Sequence, residues 1–110
     1  MNSETEYRKL LETRGISLQS PGLTEIALSR ADAILAIDLL LSASILILGG
    51  DVYFKKDTGI ESAYANWHSD AMEGEDRKDF VSRSYLETKD YIDNFPSTEP
   101  MPVFVLVIDS

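Results

Sequence analysis

A chain of 110 residues is long enough to bury one two-layer core and calls for no second domain, so residues 1–110 read as a single unit. Nineteen acidic against ten basic residues give a formal charge of −9, a surface that nucleic acid and anionic membranes repel. With no cysteine, a disulfide framework and a thiolate metal site are both excluded, and a reducing compartment costs the chain nothing.

The opening Met1–Glu6 is acidic where an export signal would be basic, so a cytoplasmic location is expected. Ser3, with Glu6 three residues on, makes a capping pair for a short amphipathic helix that carries Tyr7, Leu10 and Leu11 and stops at Gly15. Ser17 to Gly22, with Pro21-Gly22, reads as a connector, and Leu23 to Leu28 as a short strand. Ser29 then starts a helix over Arg30 to Ala43, with Asp32 at its third position. Ala33, Ala36, Ile37, Leu40 and Leu41 share its inner face. Leu35 and Leu39 fall outside that face and need a cover, by default within the chain, otherwise a twin subunit or a partner. The apolar region Ala31 to Leu48 is interrupted by Asp32 and Asp38 and falls short of the roughly 20 residues of a spanning helix, so no membrane partner is expected.

Ile45 to Leu48 is an apolar strand that runs into Gly49-Gly50, a pair that predicts a bulge, a bend or a close backbone approach before the strand resumes over Val52 to Lys56. Asp57-Thr58-Gly59 turns the chain into a second strand, Ile60 to Asn66. Asn66 to Asp76 has no period and reads as a loop holding the only tryptophan and the only histidine. Asp76 to Phe95 is a helix with Phe80, Val81, Ser84, Tyr85, Thr88, Tyr91, Ile92 and Phe95 on one stripe; Pro96 ends it. Val103 to Ile108 is a continuous β-branched run that suggests a central strand covered on both faces.

The order is a helix followed by β-α-β-β-α-β. It predicts an α+β fold, a ferredoxin-like two-layer sandwich with a four-stranded, mainly antiparallel sheet. Residues 1–16 form an N-terminal helix appended to the 23–108 core, placed to cover part of the second sheet face.

Each candidate chemistry has a plainer counterpart. His68 with Asp51, Asp70 and Ser69 could be combined into a hydrolytic set, but no strand-turn-helix nucleophile motif supports it, and a lone loop histidine is more often solvated. Asp70, Glu73, Glu75, Asp76 and Asp79 lack the spacing of a calcium loop and read as a solvated loop with helix N-terminal acids. Gly49-Gly50 is followed by Asp51, which repels a phosphate. No catalytic residue, metal or cofactor is therefore assigned. Trp67, near Tyr53 and Tyr64, is either a binding anchor or a tryptophan closing one end of the core.

Four pieces, in order and spacing, resemble immunity protein family 40 of bacterial polymorphic-toxin systems. They are Glu25 to Ala33, with its Ser29-Arg30-Ala31-Asp32 helix start, leading to Ala36 to Leu40, then Ile47-Leu48-Gly49-Gly50-Asp51-Val52-Tyr53, Tyr64-Ala65-Asn66-Trp67, and Phe104 to Val107. Leu41 and Leu46 depart from the polar residue and proline common in that family, which leaves the helix boundary less defined and favours a dimer face. The resemblance implies a non-enzymatic antidote that binds a cognate toxin. An acidic chain suits a basic toxin domain such as a nuclease. Asp51, Tyr53, Trp67, His68, Asp70, Glu73 and Glu75 are the expected toxin-facing residues, with the acidic helix face of Asp79, Glu87, Asp90 and Asp93 as the competitor. The alternatives are a self-associating structural or ligand-sensing domain that forms a homodimer through Leu35 and Leu39, and a small hydrolase.

Overall fold

The computed structural model describes residues 2–18, 25–97 and 99–109. Helix α1 spans Ser3–Arg14, and its cap is Asn2 rather than Ser3: the Asn2 side chain accepts from the Thr5 backbone N–H at 2.8 Å. Asparagine caps at least as well as serine, so the register sits one residue earlier than the Ser3–Glu6 pair suggests. Gly15 ends the helix with an extended backbone. A Cβ there would lie 2.2 Å from Ile26 Cγ2 and 2.3 Å from the Leu11 carbonyl, so glycine permits close packing of the helix end on the next strand.

A short strand β1, Ile16–Ser17, pairs with β2, Ile26–Ser29. It adds a fifth strand where a connector was expected, and the strand expected from Leu23 lies partly outside the described residues, as does most of the Ser17 to Gly22 connector. Helix α2, Arg30–Ser42, is capped by Ser29, whose hydroxyl accepts from the Asp32 N–H. The Asp32 carboxylate turns instead to Arg14 of α1, at 3.0 Å. Ala33, Ala36, Ile37 and Leu40 are fully buried. Leu39 packs against the main core, whereas Leu35 is 54% exposed, so burial within the chain holds for one of the pair only. The helix ends in paired back-bonds, Ser44 N–H to Leu41 carbonyl and Ile45 N–H to Leu40 carbonyl, with Ser44 in the left-handed region at φ 57°.

Strand β3, Leu46–Lys56, is continuous through the double glycine. Its pairing with the last strand skips Leu48, between Ile47↔Ile108 and Gly49↔Val107, which is the expected bulge. A Cβ on Gly49, at φ +152°, would meet the Trp67 carbonyl at 2.1 Å; one on Gly50 would meet the Trp67 ring at 2.4 Å. The glycines therefore serve both the bulge and a close approach. The Asp57-Thr58 turn leads to β4, Gly59–His68, so Asn66, Trp67 and His68 are strand residues and the loop is only Ser69 to Asp76. Helix α3, Arg77–Asn94, starts at the Asp76 cap and buries Phe80, Val81, Ser84, Thr88 and Ile92. Strand β5, Met101–Asp109, closes the fold.

The sheet order is β1-β2-β5-β3-β4, with every pair antiparallel. Each βαβ crossover is split by one strand, as expected: β5 lies between β2 and β3, and β3 between β5 and β4. The arrangement is nevertheless not the ferredoxin-like one, in which the last strand lies at an edge of the sheet. The apolar run of β5 takes the middle, because burying it there removes the most apolar surface from water.

Along β5, Phe104 joins the main core with Leu28, Val52, Trp67 and residues of all three helices, while Val103 and Val105 join Leu18 and Ala27 in a small cluster on the other face. Tyr7 and Leu10 of α1 belong to the main core, so α1 packs beside α2 rather than over the second sheet face. Among the described residues, that second face is covered only near Leu18, and β5 is exposed at Val107.

Candidate functional site: the open sheet face and its edge

Strand alternation decides which side chains reach the uncovered face. Val52, Trp67 and Phe104 point to the helices, so their neighbours Asp51, Tyr53, Asn66, His68 and Val105 occupy the opposite face. In register, Asp51 lies between Asn66 and Val105, and Gly49 between His68 and Val107. Where Gly49 contributes no side chain, a shallow open depression of about 230 Å³ forms, bordered by Leu48, Asp51, Asn66, His68 and Val107.

The electrostatics of this face are negative. Burial, then the charges of Glu25 and Asp51, push the Tyr53 hydroxyl above its usual range. His68 Nε2 stands 3.4 Å from Asp70 Oδ2, both groups largely exposed. Residues 62–76 hold no lysine or arginine and four acids.

The expected residues divide. Asp51, Tyr53, His68 and Asp70 gather on or beside the open face, and Glu73 is exposed in the following loop. Trp67 does not stand out from it: the side chain is only 9% exposed, stacks on Tyr91 at 4.7 Å, meets Phe104 edge-on, and donates its indole N–H to Thr88 Oγ1 at 3.0 Å. It closes the core behind the depression. Glu75 is drawn towards α3, where Arg83 grips it with two nitrogens at 2.8 Å and holds its carboxyl at about 2, well below the usual range. Arg83 also binds Glu87 and donates to the Asp70 carbonyl, pinning the loop to the helix.

No hydrolytic pair is assembled at Ser69, whose hydroxyl donates to Glu87 at 2.7 Å and not to His68. Among the described residues, no three His, Asp or Glu side chains are placed to share a metal ion, and no described helix is long and apolar enough to cross a membrane. On the competing helix face, Glu87 and Asp93 are ion-paired to Arg83 and Lys89, and Asp90 accepts from Asn94, which leaves less charge free than four acids imply.

Residues 17–108 match the family Immunity protein 40. The chain belongs to the immunity protein 40 family. No curated protein and no solved structure matches it. An immunity protein acts on a toxin, so membership supplies the class of partner and favours inhibition by binding over catalysis. The matched span takes in the double glycine, the open face and the loop, and leaves out all of α1.

Four residues at this surface escape a reading of the sequence. Val107 needs the sheet order to come opposite Gly49, and Glu25 needs it to act on Tyr53. Leu48 is turned out by the bulge, a consequence that the double glycine could have signalled. Tyr64 is 95% exposed at a second irregularity, in Ala63-Tyr64-Ala65, where no glycine marks the site.

Proposed function

We propose that this immunity protein 40 chain neutralises a cognate toxin in the cytoplasm of the producing cell by forming a stoichiometric complex with a basic toxin domain such as a nuclease. The family match carries this reading. The net charge of −9 and the acids around the open face support a basic partner, because charge complementarity accelerates encounter and suppresses wrong partners. Asp51, Tyr53, His68, Asp70 and Glu73 form the contact surface, Trp67 supports it from behind, and Glu75 acts through its hold on the loop.

The test is growth rescue with the toxin domain encoded beside this chain, followed by titration of the purified pair. Rescue together with a one-to-one complex is the expected result. A toxin that kills equally with and without the chain, and that shows no binding heat, ends the antidote reading. Sedimentation of the free chain addresses self-association in the same series: a stable dimer lost on Leu35→Asp would favour the self-associating reading.

A further inference from the structure

The bulge in β4 carries a residue whose side chain the fold does not use. Between Val52↔Ala65 and Tyr53↔Ser62, the two residues Ala63 and Tyr64 have no partner on β3. Ala63 packs against the main core. Tyr64 is thrown outwards at φ 55°, a conformation that a bulky L-residue adopts only against steric resistance. Its ring, 95% exposed, makes no packing that would return the cost. The backbone N–H is satisfied locally by Ser62 Oγ at 3.0 Å, which fixes the bulge independently of the tyrosine ring. A bulge on an edge strand has a plain explanation as a guard against edge-to-edge pairing, and β4 is an edge strand. That accounts for the bulge and not for the residue, since glycine or asparagine would hold the same backbone with less strain, and lysine would guard the edge better.

The geometry points to Tyr64 as the anchor of the toxin contact, a ring presented by the β4 bulge for insertion into a basic toxin domain, with Asp51, Asp70 and Glu73 as the acids of the same contact surface. This rests on the antidote reading above and names the surface. Bulges re-aim side chains at functional positions, and tyrosine is among the residues that dominate interface energies. Tyr64 stands two residues from Asn66, the cross-strand partner of Asp51, roughly 7 Å along the strand at ~3.4 Å per residue. From Ser62 to Asp76 the chain carries four acids, all from Asp70 onward, and no lysine or arginine, so a cationic partner drawn to those acids meets the ring on the same segment; on the other side of the bulge stand Lys55 and Lys56, the latter ion-paired to Glu61. Arg83 reaches this loop but is matched by both Glu75 and Glu87.

The experiment pairs affinity with stability for Tyr64→Gly and Tyr64→Asn, using the purified toxin domain encoded beside the chain. An anchor held in a strained backbone predicts opposite signs. Toxin Kd rises at least ~30-fold, the scale of a hot-spot truncation. The melting temperature stays level or rises by ~2–5 °C as the strain is relieved. Tyr64→Phe keeps the ring and stays within about tenfold of the parent chain, on the same scale. If the parent binds while Tyr64→Gly and Tyr64→Asn bind within threefold of it, the anchor assignment is overturned and the antidote reading stands. If the parent does not bind, both fall. A drop in melting temperature for both variants would overturn the assignment as well, since it would make Tyr64 a structural residue.

Discussion

Trp67 shows how one side chain can be essential to a surface without lying on it. Its indole fills the space that Gly50 leaves free, stacks on Tyr91 and gives its proton to Thr88, itself fully buried. Trp67→Ala therefore opens a cavity and strands a buried hydroxyl, and we expect a loss of about 3–5 kcal/mol. Against a typical total of about 5–15 kcal/mol, that is enough to leave much of a marginal domain unfolded. Chemical denaturation of Trp67→Ala and Trp67→Phe checks this, with Phe expected to retain most of the packing and to lose about 1–3 kcal/mol from the missing N–H. A cost below about 1 kcal/mol for alanine would show that the ring is dispensable to the core. The sequence leaves the two roles of Trp67 open for a physical reason: aromatic rings suit both cores and interfaces, and only the register with Gly50 decides which way this one points. Tyr64 is the converse. It follows the alternation Ile60, Ser62, Tyr64 without a break, and nothing in Ala-Tyr-Ala announces two unpaired residues.

Elements with a long period or a marked end were legible. The spacing from Phe80 to Phe95, the caps Ser29 and Asp76, and Pro96 locate α2 and α3 within a residue or so, because the buried stripe and the unsatisfied terminal N–H groups demand those residue types. The loop Ser69 to Asp76 was half legible: its acids were visible, but the clamp that orders it comes from Arg83 in the next helix. Arg83 holds Glu75 through paired charge-assisted hydrogen bonds, and with the Met72 N–H it keeps the Glu75 carboxyl at about 2 against an ordinary value of 4.5. A carboxyl depressed on folding stabilises the folded state above its unfolded value and loses that contribution as pH falls through the folded one. The clamp should therefore act fully above about pH 4.5 and be gone below about pH 2. Observing the Glu75 carboxyl by NMR during acid titration should give a midpoint near 2, moving up towards 4.5 in Arg83→Gln, with loop amides of Asp70 and Met72 shifting in step. A midpoint near 4.5 in the parent chain would mean that the clamp does not form in solution.

At the scale of the whole molecule, the strand order was the part that patterning could not supply. Alternation says which residues are covered, not which strands are neighbours, and a βαββαβ order is compatible with more than one split arrangement. The one clue was the unbroken run in β5, which favours the middle of the sheet over the edge that the ferredoxin-like order gives the last strand. The observed order has an electrostatic consequence, because the charges of Glu25, just before β2, and of Asp51 on β3 both act on the Tyr53 hydroxyl. With the loop acids beyond β4, negative charge runs across the open face instead of being paired along a helix. A basic partner approaching such a face is steered by a field that salt screens within roughly 8 Å at physiological ionic strength. Stopped-flow association with the toxin domain should therefore slow by about tenfold or more between 50 and 500 mM salt, while dissociation, governed by the close contact at Tyr64, changes little. Asp51→Asn combined with Glu73→Gln should flatten that salt dependence and leave the off-rate nearly unchanged, whereas Asp79→Asn combined with Asp90→Asn on α3 should do neither. An association rate insensitive to salt would remove the electrostatic argument for a basic partner; a flattened dependence in the α3 pair alone would move the contact to the helix face.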